Sequence, residues 1–324
     1  MPEIGSTAVA QAAARLRENV ARVIVGKQEA VTLLTVALLC EGHVLLEDVP
    51  GVGKTMLARS LARSLDLRFQ RVQFTPDLLP SDITGIAFFN QKSQEFQFRP
   101  GPVFTNVLLA DEINRATPRT QSALLEAMAE RQVTAEGETR ALPRPFLVLA
   151  TENPIELEGT FPLPEAQLDR FLLRVDLGYP TRDEERLIAR RFQFGSPLDS
   201  LASVLGADDL PDLIGAVRRV HVAEPVEGYI VDLVRASREA PGVALGASPR
   251  ATLALFRGSQ ALAAINGRSF VLPDDVKRLA LPVLGHRLIL TSQSHLRSQS
   301  ATAVVADLLE RVPAPVEDAI PAGT

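Results

Sequence analysis

Apolar residues recur along this chain in two different periods, and the change of period divides it. Short β-rich runs occupy 44–47, 69–74, 107–111, 146–151 and 171–176, and helical patterns separate most of them. That alternation predicts crossover connections and a parallel sheet covered on both faces, with ligands at the carboxyl ends of the strands. Ahead of the first run, 8–22 reads as a surface helix rich in Ala, Arg and Glu, and 28–40 as a second helix. From Thr181 onward the pattern is helical: Thr181 and Glu184 have the spacing of a capping box, and further helices are predicted at about 209–220, 225–239, 249–265 and 273–283. The pattern therefore predicts an α/β domain over 1–180, a smaller helical domain over 181–312, and a proline-bearing, aperiodic tail over 313–324 that is expected to be disordered.

Two stretches interrupt the α/β alternation. Between 75 and 104 a cluster of Phe88, Phe89, Phe96, Phe98 and Phe104 is broken by Gly85, Asn90 and Gly101, which reads as an inserted hairpin. A second hairpin is predicted at 132–142 around Glu136-Gly137-Glu138. Between them Thr117 is placed to cap a helix that opens with Pro118 and runs to about residue 131.

Composition narrows the class. The 324 residues suffice for about two domains, and 46% hydrophobic with 23% charged residues describe a soluble globular chain. The longest apolar run, 31–40, is well short of the roughly 20 residues of a membrane span, and what precedes it does not resemble a signal peptide, so a cytoplasmic protein is expected. The single Cys40 excludes an internal disulfide, and His43, His221, His286 and His295 are too scattered for a zinc site. A net charge of −5 argues against a protein that coats nucleic acid.

The chemistry gathers at predicted strand ends. After the run at 44–47 comes Asp48-Val49-Pro50-Gly51-Val52-Gly53-Lys54-Thr55-Met56, a glycine-bearing turn before a helix. Gly51 and Gly53 let the backbone approach a polyphosphate, the opening amides of the helix are donors, Lys54 supplies a charge and Thr55 a hydroxyl for Mg²⁺. Asp48 stands where the general pattern has its first glycine, and a chance turn before a helix would share the remaining features. With one strand between, Asp111 and Glu112 end an apolar run, suited to holding Mg²⁺ through water and to polarising an attacking water; a solvated strand end would look the same. Asn153 is placed to bridge that water and a γ-phosphate, or simply to turn the chain before Pro154. Val25 and Gly26 either wall an adenine pocket or pack as core. Arg115, Arg170 and Arg250 have no distinguishing pattern of their own.

The ordered segments EDVPGVGKT, LLADEINRA, TQSALLEAMAERQVT, VLATENPIE with PLPEAQLDRFL, and ASPRA resemble the MoxR family of AAA+ ATPases, close to magnesium-chelatase subunits, over about 25–290. Asp48 fits that family, which usually carries an acid there, whereas Glu152 departs from an expected glutamine. The resemblance implies a P-loop NTPase domain with a five-stranded parallel sheet ordered 5-1-4-3-2 and a helical lid. It implies ATP held by Val25, Gly26, Pro50 to Met56 and Asp111, with Mg²⁺ at Thr55 and Asp111. Glu112 would be the base, Asn153 sensor 1, Arg170 the arginine finger, with Arg115 ranked below it, and Arg250 sensor 2. It further implies a homo-oligomer, as a hexamer, whose hairpins face a pore and which remodels a partner protein, often one bearing a von Willebrand A domain, during complex maturation or metal insertion. A chelatase motor, a nucleic-acid translocase and a nucleotide-gated scaffold are the competing readings. Lys92, Arg99 and Arg140 are too few basic hairpin residues to favour the translocase.

Overall fold

The computed structural model describes residues 5–135, 137–152, 159–296 and 299–316. Asn153 and residues 317–324 of the tail lie outside them. Five core strands form one all-parallel sheet: β1 (Val44–Glu47), β2 (Phe69–Gln73), β3 (Val107–Asp111), β4 (Leu147–Glu152) and β5 (Leu173–Val175). Their spatial order is β2-β3-β4-β1-β5, which read from the other edge is the expected 5-1-4-3-2. Val44 lies opposite both Leu149 and Leu173, so β1 is flanked by β4 and β5 and its outgoing loop emerges at the middle of the carboxyl edge. The central strands are apolar on both sides because both faces are covered, and Leu108, Leu109 and Ala110 are fully buried.

One face of the sheet packs against the helix Pro118–Glu130 through Leu124, Leu125 and Met128. The other belongs to a cluster that runs without a break from the helices Ser6–Ala21 and Gln28–Leu39, through Val44, Leu46, Leu109 and Leu149, into the helices Leu210–Arg218, Glu224–Arg238, Pro249–Ile265 and Pro273–Leu284. The first helix is thus not the surface element its composition suggested. Val9, Leu16 and Val20 are buried, and Asn19 donates from Nδ2 to Ser64 Oγ at 3.0 Å. Its Ala and Arg content masked an apolar stripe at i, i+7, i+11.

Both predicted hairpins are present. Gly85–Asn90 pairs antiparallel with Glu95–Pro100, and Gln132–Ala135 with Glu138–Ala141. The Arg140 guanidinium stacks 4.1 Å over the Phe98 ring, joining one hairpin to the other. The capping box at Thr181 forms, with Thr181 N donating to Glu184 Oε2 at 2.7 Å, whereas Thr117 opens its helix without a side-chain cap. The second half is not wholly helical, because Val243–Leu245 pairs antiparallel with Ile289–Leu290. Runs of three and two residues are too short to show a period.

A buried arginine fastens the helical half to the sheet. Arg287 Nε donates to Asp169 Oδ1 at 2.8 Å and its Nη2 to Phe171 O at 2.6 Å, with its side chain only 2% exposed. Asp169 Oδ2 also accepts from Ser248 Oγ at 2.7 Å, the N-cap of Pro249–Ile265. Two histidines pack as neutral core groups. Burial lowers His43 to about 4, and Val148 N donates to its Nδ1 at 3.1 Å; burial also holds His286 well below its ordinary value.

Candidate functional site

At the carboxyl edge the loop after β1 turns through Gly51 at φ +86° and Gly53 at φ +97°, conformations that favour glycine, and the helix Lys54–Ser64 begins at once. Its first amides have no partner inside the helix and point out of its positive end. Lys54 Nζ donates to Asp48 O at 2.7 Å, and partial burial pulls its pKa down from the ordinary lysine value. Thr55 is the second residue of that helix. Met56 packs with Ile24 against a small cluster of Val23, Leu198 and Leu201. Val25 is buried, and Gly26, at φ +75°, has the Glu184 carboxylate lying directly against it. Val23, Ile24 and Met56 therefore form an apolar cluster beside the start of the helix, with the Glu184 carboxylate next to it at Gly26.

Asp111 ends β3 and Glu112 follows it on the same edge. Thr151 ties them to β4, since its hydroxyl donates to Asp111 Oδ1 at 2.7 Å and accepts from Glu112 N at 2.8 Å. Glu112 is held at φ 55° and ψ 52°, a left-handed conformation that costs a non-glycine residue about 1–3 kcal/mol. It turns the carboxylate off the strand line, where Gln73 Nε2 at 2.8 Å and Arg115 Nη1 at 2.9 Å donate to Oε2. Arg71 Nε and Nη2 donate to Asp111 Oδ2 at 3.0 and 2.6 Å. Thr151 stands out from the sequence only as one of the residues ending a strand at this edge, and Arg71 and Gln73 do not stand out at all. The signal available for these two was a polar pair at i, i+2 ending a strand, which puts both side chains on one side of β2.

The donor set suits Mg²⁺. Asp111 and Thr55 offer hard oxygens, and among the described residues no group of three or more His, Cys, Asp or Glu could cage an ion unaided. Mg²⁺ characteristically takes one or two protein oxygens and completes its shell from phosphate and water.

Arg170 and Arg250 lie at the opposite edge. Arg170 precedes β5, and Leu172 N donates to His43 O at 2.8 Å at the amino end of β1. Arg170 Nη1 donates to Leu125 O at 2.6 Å. Arg250 reaches Asp169 at 3.9 Å, and both arginines line one cavity of about 330 Å³ with Arg131, Arg257 and Arg287. The strands between the two edges span roughly 10–20 Å at about 3.3 Å per residue. Among the described residues the contacts of these two arginines and the walls of their cavity include none from the phosphate loop of the same chain. The two edges also differ in charge: the furrow gathers arginines, while the carboxyl edge carries Glu47, Asp48, Asp111, Glu112, Glu152 and Asp176. Burial, then the charge of Glu47, pushes Glu152 up to about 7.

Among the described residues no helix is long and apolar enough to cross a membrane. The family model for ATPases associated with various cellular activities matches residues 43–173, and that for the AAA lid domain matches 235–308. Uncharacterized protein YeaC of Bacillus subtilis is 48% identical, covering 93% of this chain and 94% of its own. Chaperone MoxR1 of Mycobacterium tuberculosis is 44% identical, covering 94% and 82%. The crystal structure of a proposed ATPase from Cytophaga hutchinsonii superposes with a TM-score of 0.91 at 39% identity, covering 96% and 97%. With the P-loop sheet, the lid and these relatives together, the chain belongs to the MoxR family of AAA+ ATPases.

Proposed function

We propose that this protein hydrolyses ATP at a site completed by a second copy of itself and uses the turnover to remodel a partner protein. The observation that carries the reading is the opposed placement of the two halves of the chemistry. The loop, Asp111 and Glu112 sit at the carboxyl edge of the sheet, and Arg170 and Arg250 at the amino edge. A heterologous contact that sets the arginine furrow of one copy against the acidic edge of the next brings both halves to one triphosphate, and repetition of such a contact gives a ring when its rotation closes.

In that arrangement the Lys54–Ser64 helix amides and Lys54 bind the β- and γ-phosphates, while Val25, Gly26 and Met56 border the base. Thr55 and Asp111 would hold Mg²⁺, which would supply charge neutralisation on the phosphates. Glu112 orients the attacking water and accepts its proton. Asn153 would assist at that water. Arg170 and Arg250 of the neighbour stabilise charge gathering on the γ-phosphate, a contribution of about 10³ to 10⁵ in rate where a trans-acting arginine has been measured. Sensor 2 is thereby assigned to the neighbour's nucleotide. Arg115, bonded to Glu112, is the weaker candidate for the trans role.

The partner class rests on the resemblance and on the name of the mycobacterial relative, a chaperone. A von Willebrand A domain protein, a hexameric ring and a cytoplasmic setting belong to the same proposal. The test is a pair of variants. Lys54→Ala should lose binding of a fluorescent ATP analogue, and Glu112→Gln should bind ATP and retain it unhydrolysed. Wild-type turnover by Glu112→Gln would remove the assigned base.

A further inference from the structure

The aspartate in the first position of the phosphate loop is a buried clamp. Asp48 is 7% exposed, and its carboxylate accepts three backbone N–H groups: Val49 N on Oδ1 at 2.9 Å, and Leu177 N and Gly178 N on Oδ2 at 2.6 and 2.7 Å. The last two belong to the segment that leaves β5 for the helical half. Lys27 Nζ holds the same segment from its other side, donating to Gly178 O at 3.1 Å and Tyr179 O at 3.3 Å. Glu184, three residues into the capping box that follows, lies against Gly26. The strap from Leu177 to Glu184 is thus fixed at the phosphate end by Asp48 and at the base end by Lys27 and Gly26.

The backbone of Asp48 is not in the left-handed region, unlike Gly51 and Gly53, so nothing about its conformation asks for the glycine of the general pattern. The main-chain oxygen of the same residue accepts the Lys54 ammonium. One residue therefore carries the phosphate-binding lysine on its carbonyl and the strap on its carboxylate.

We propose that Asp48 is a positioning residue that couples occupancy of the phosphate loop to the strap leading into the lid. When Lys54 turns to a bound phosphate, it leaves the Asp48 carbonyl, and the change passes through the carboxylate to Leu177 and Gly178. This rests on the ATPase reading above and adds the route by which the loop addresses the half of the chain that carries Arg250.

The test uses the full chain and two variants, Asp48→Gly, which restores the general glycine pattern, and Asp48→Asn. Three quantities are read: affinity for a fluorescent ADP analogue, the split between kcat and KM for ATP, and amide hydrogen exchange at Leu177 and Gly178 with and without nucleotide. Charge-assisted bonds of this kind predict exchange at the two amides faster by about ten- to hundredfold in Asp48→Gly. Nucleotide affinity should stay within a few-fold of wild type, and kcat should fall at least tenfold with KM little changed. Asp48→Asn keeps one acceptor oxygen but turns a donor toward Val49 N, and should fall between the two in exchange and kcat.

Either variant matching wild type in both exchange and kcat overturns the proposal. So does a loss of nucleotide binding as complete as that of Lys54→Ala, which would place the role of Asp48 inside the loop. Exchange on nucleotide-free protein tests the clamp whether or not ATP is hydrolysed, and absence of turnover by wild type would count against the ATPase reading alone.

Discussion

A mixing experiment addresses the composite site most directly. Glu112→Gln protein lacks the base but retains the arginine furrow; Arg170→Ala protein retains the base and lacks the finger. If Arg170 reached the phosphate of its own chain, no mixture of the two would contain a complete site. The sheet places it at the amino edge, so the proposed function has the base and the finger at any one nucleotide come from different copies. At equal amounts and random assembly, half of the loops belong to Arg170→Ala copies, and half of those face a Glu112→Gln neighbour. About one quarter of the interfaces are then complete, whatever the number of subunits in a closed ring. Each variant alone should fall about 10³-fold or more, so recovery to about a quarter of wild-type turnover is a large signal in a phosphate-release assay. The recovery should follow the product of the two mole fractions and peak at equal mixing. A mixture as inactive as its components at every ratio would refute the trans assignment of Arg170 and return Arg115 to consideration.

Three further outcomes follow from particular contacts. Arg287→Met removes the guanidinium from Asp169, which keeps the Ser248 hydroxyl, and one of two donors from the Phe171 carbonyl, which keeps His286; losing the charged partner of a buried pair costs about 3–5 kcal/mol at most, so Tm should drop by about 5 °C. The chain has no tryptophan, which makes far-UV circular dichroism the suitable readout; an unchanged Tm would contradict the key role given to Arg287. Glu152, with a folded pKa of about 7 against an ordinary 4.5, disfavours folding once ionised. The penalty is absent below the ordinary value, grows as pH rises and is complete above about 7, so Glu152→Gln should gain on the order of 3 kcal/mol at pH 8 and nothing at low pH. A gain independent of pH would mean that packing, not charge, sets it. Removing the stacked cation with Arg140→Ala should raise exchange in both hairpins, and a response confined to 138–141 would show that the Phe98 contact does not join them.

The parts legible in the sequence are those where a local rule suffices. Gly51 and Gly53 mark a turn of positive φ, Asp111 and Glu112 close an apolar run, and Thr181 with Glu184 marks a helix start; each is decided within a few residues. The arginines were a different matter, since Arg170 and Arg250 owe their identification to resemblance and their meaning to an edge of the sheet that no window of sequence shows. Arg287 has no local mark at all, because its partners, Asp169 and Phe171, are far away along the chain. The same holds for Asp48, whose departure from the glycine pattern is visible but whose acceptor role depends on Leu177 and Gly178. The first helix was misjudged for the opposite reason: alanine at its inward positions gave too weak an apolar contrast to reveal the buried stripe.

The continuous apolar cluster under the sheet bears on how this chain can be divided. Leu16, Leu34 and Val36 from the first forty residues share one interior with Ile230, Leu255 and Leu279. A cut at the nominal boundary near residue 180 would lay bare matching leucine and valine faces on both products, each sticky in water. Excised halves should therefore aggregate, or reassociate when made together as split partners. A lid grafted from a distant relative would have to bring its own first helix with it.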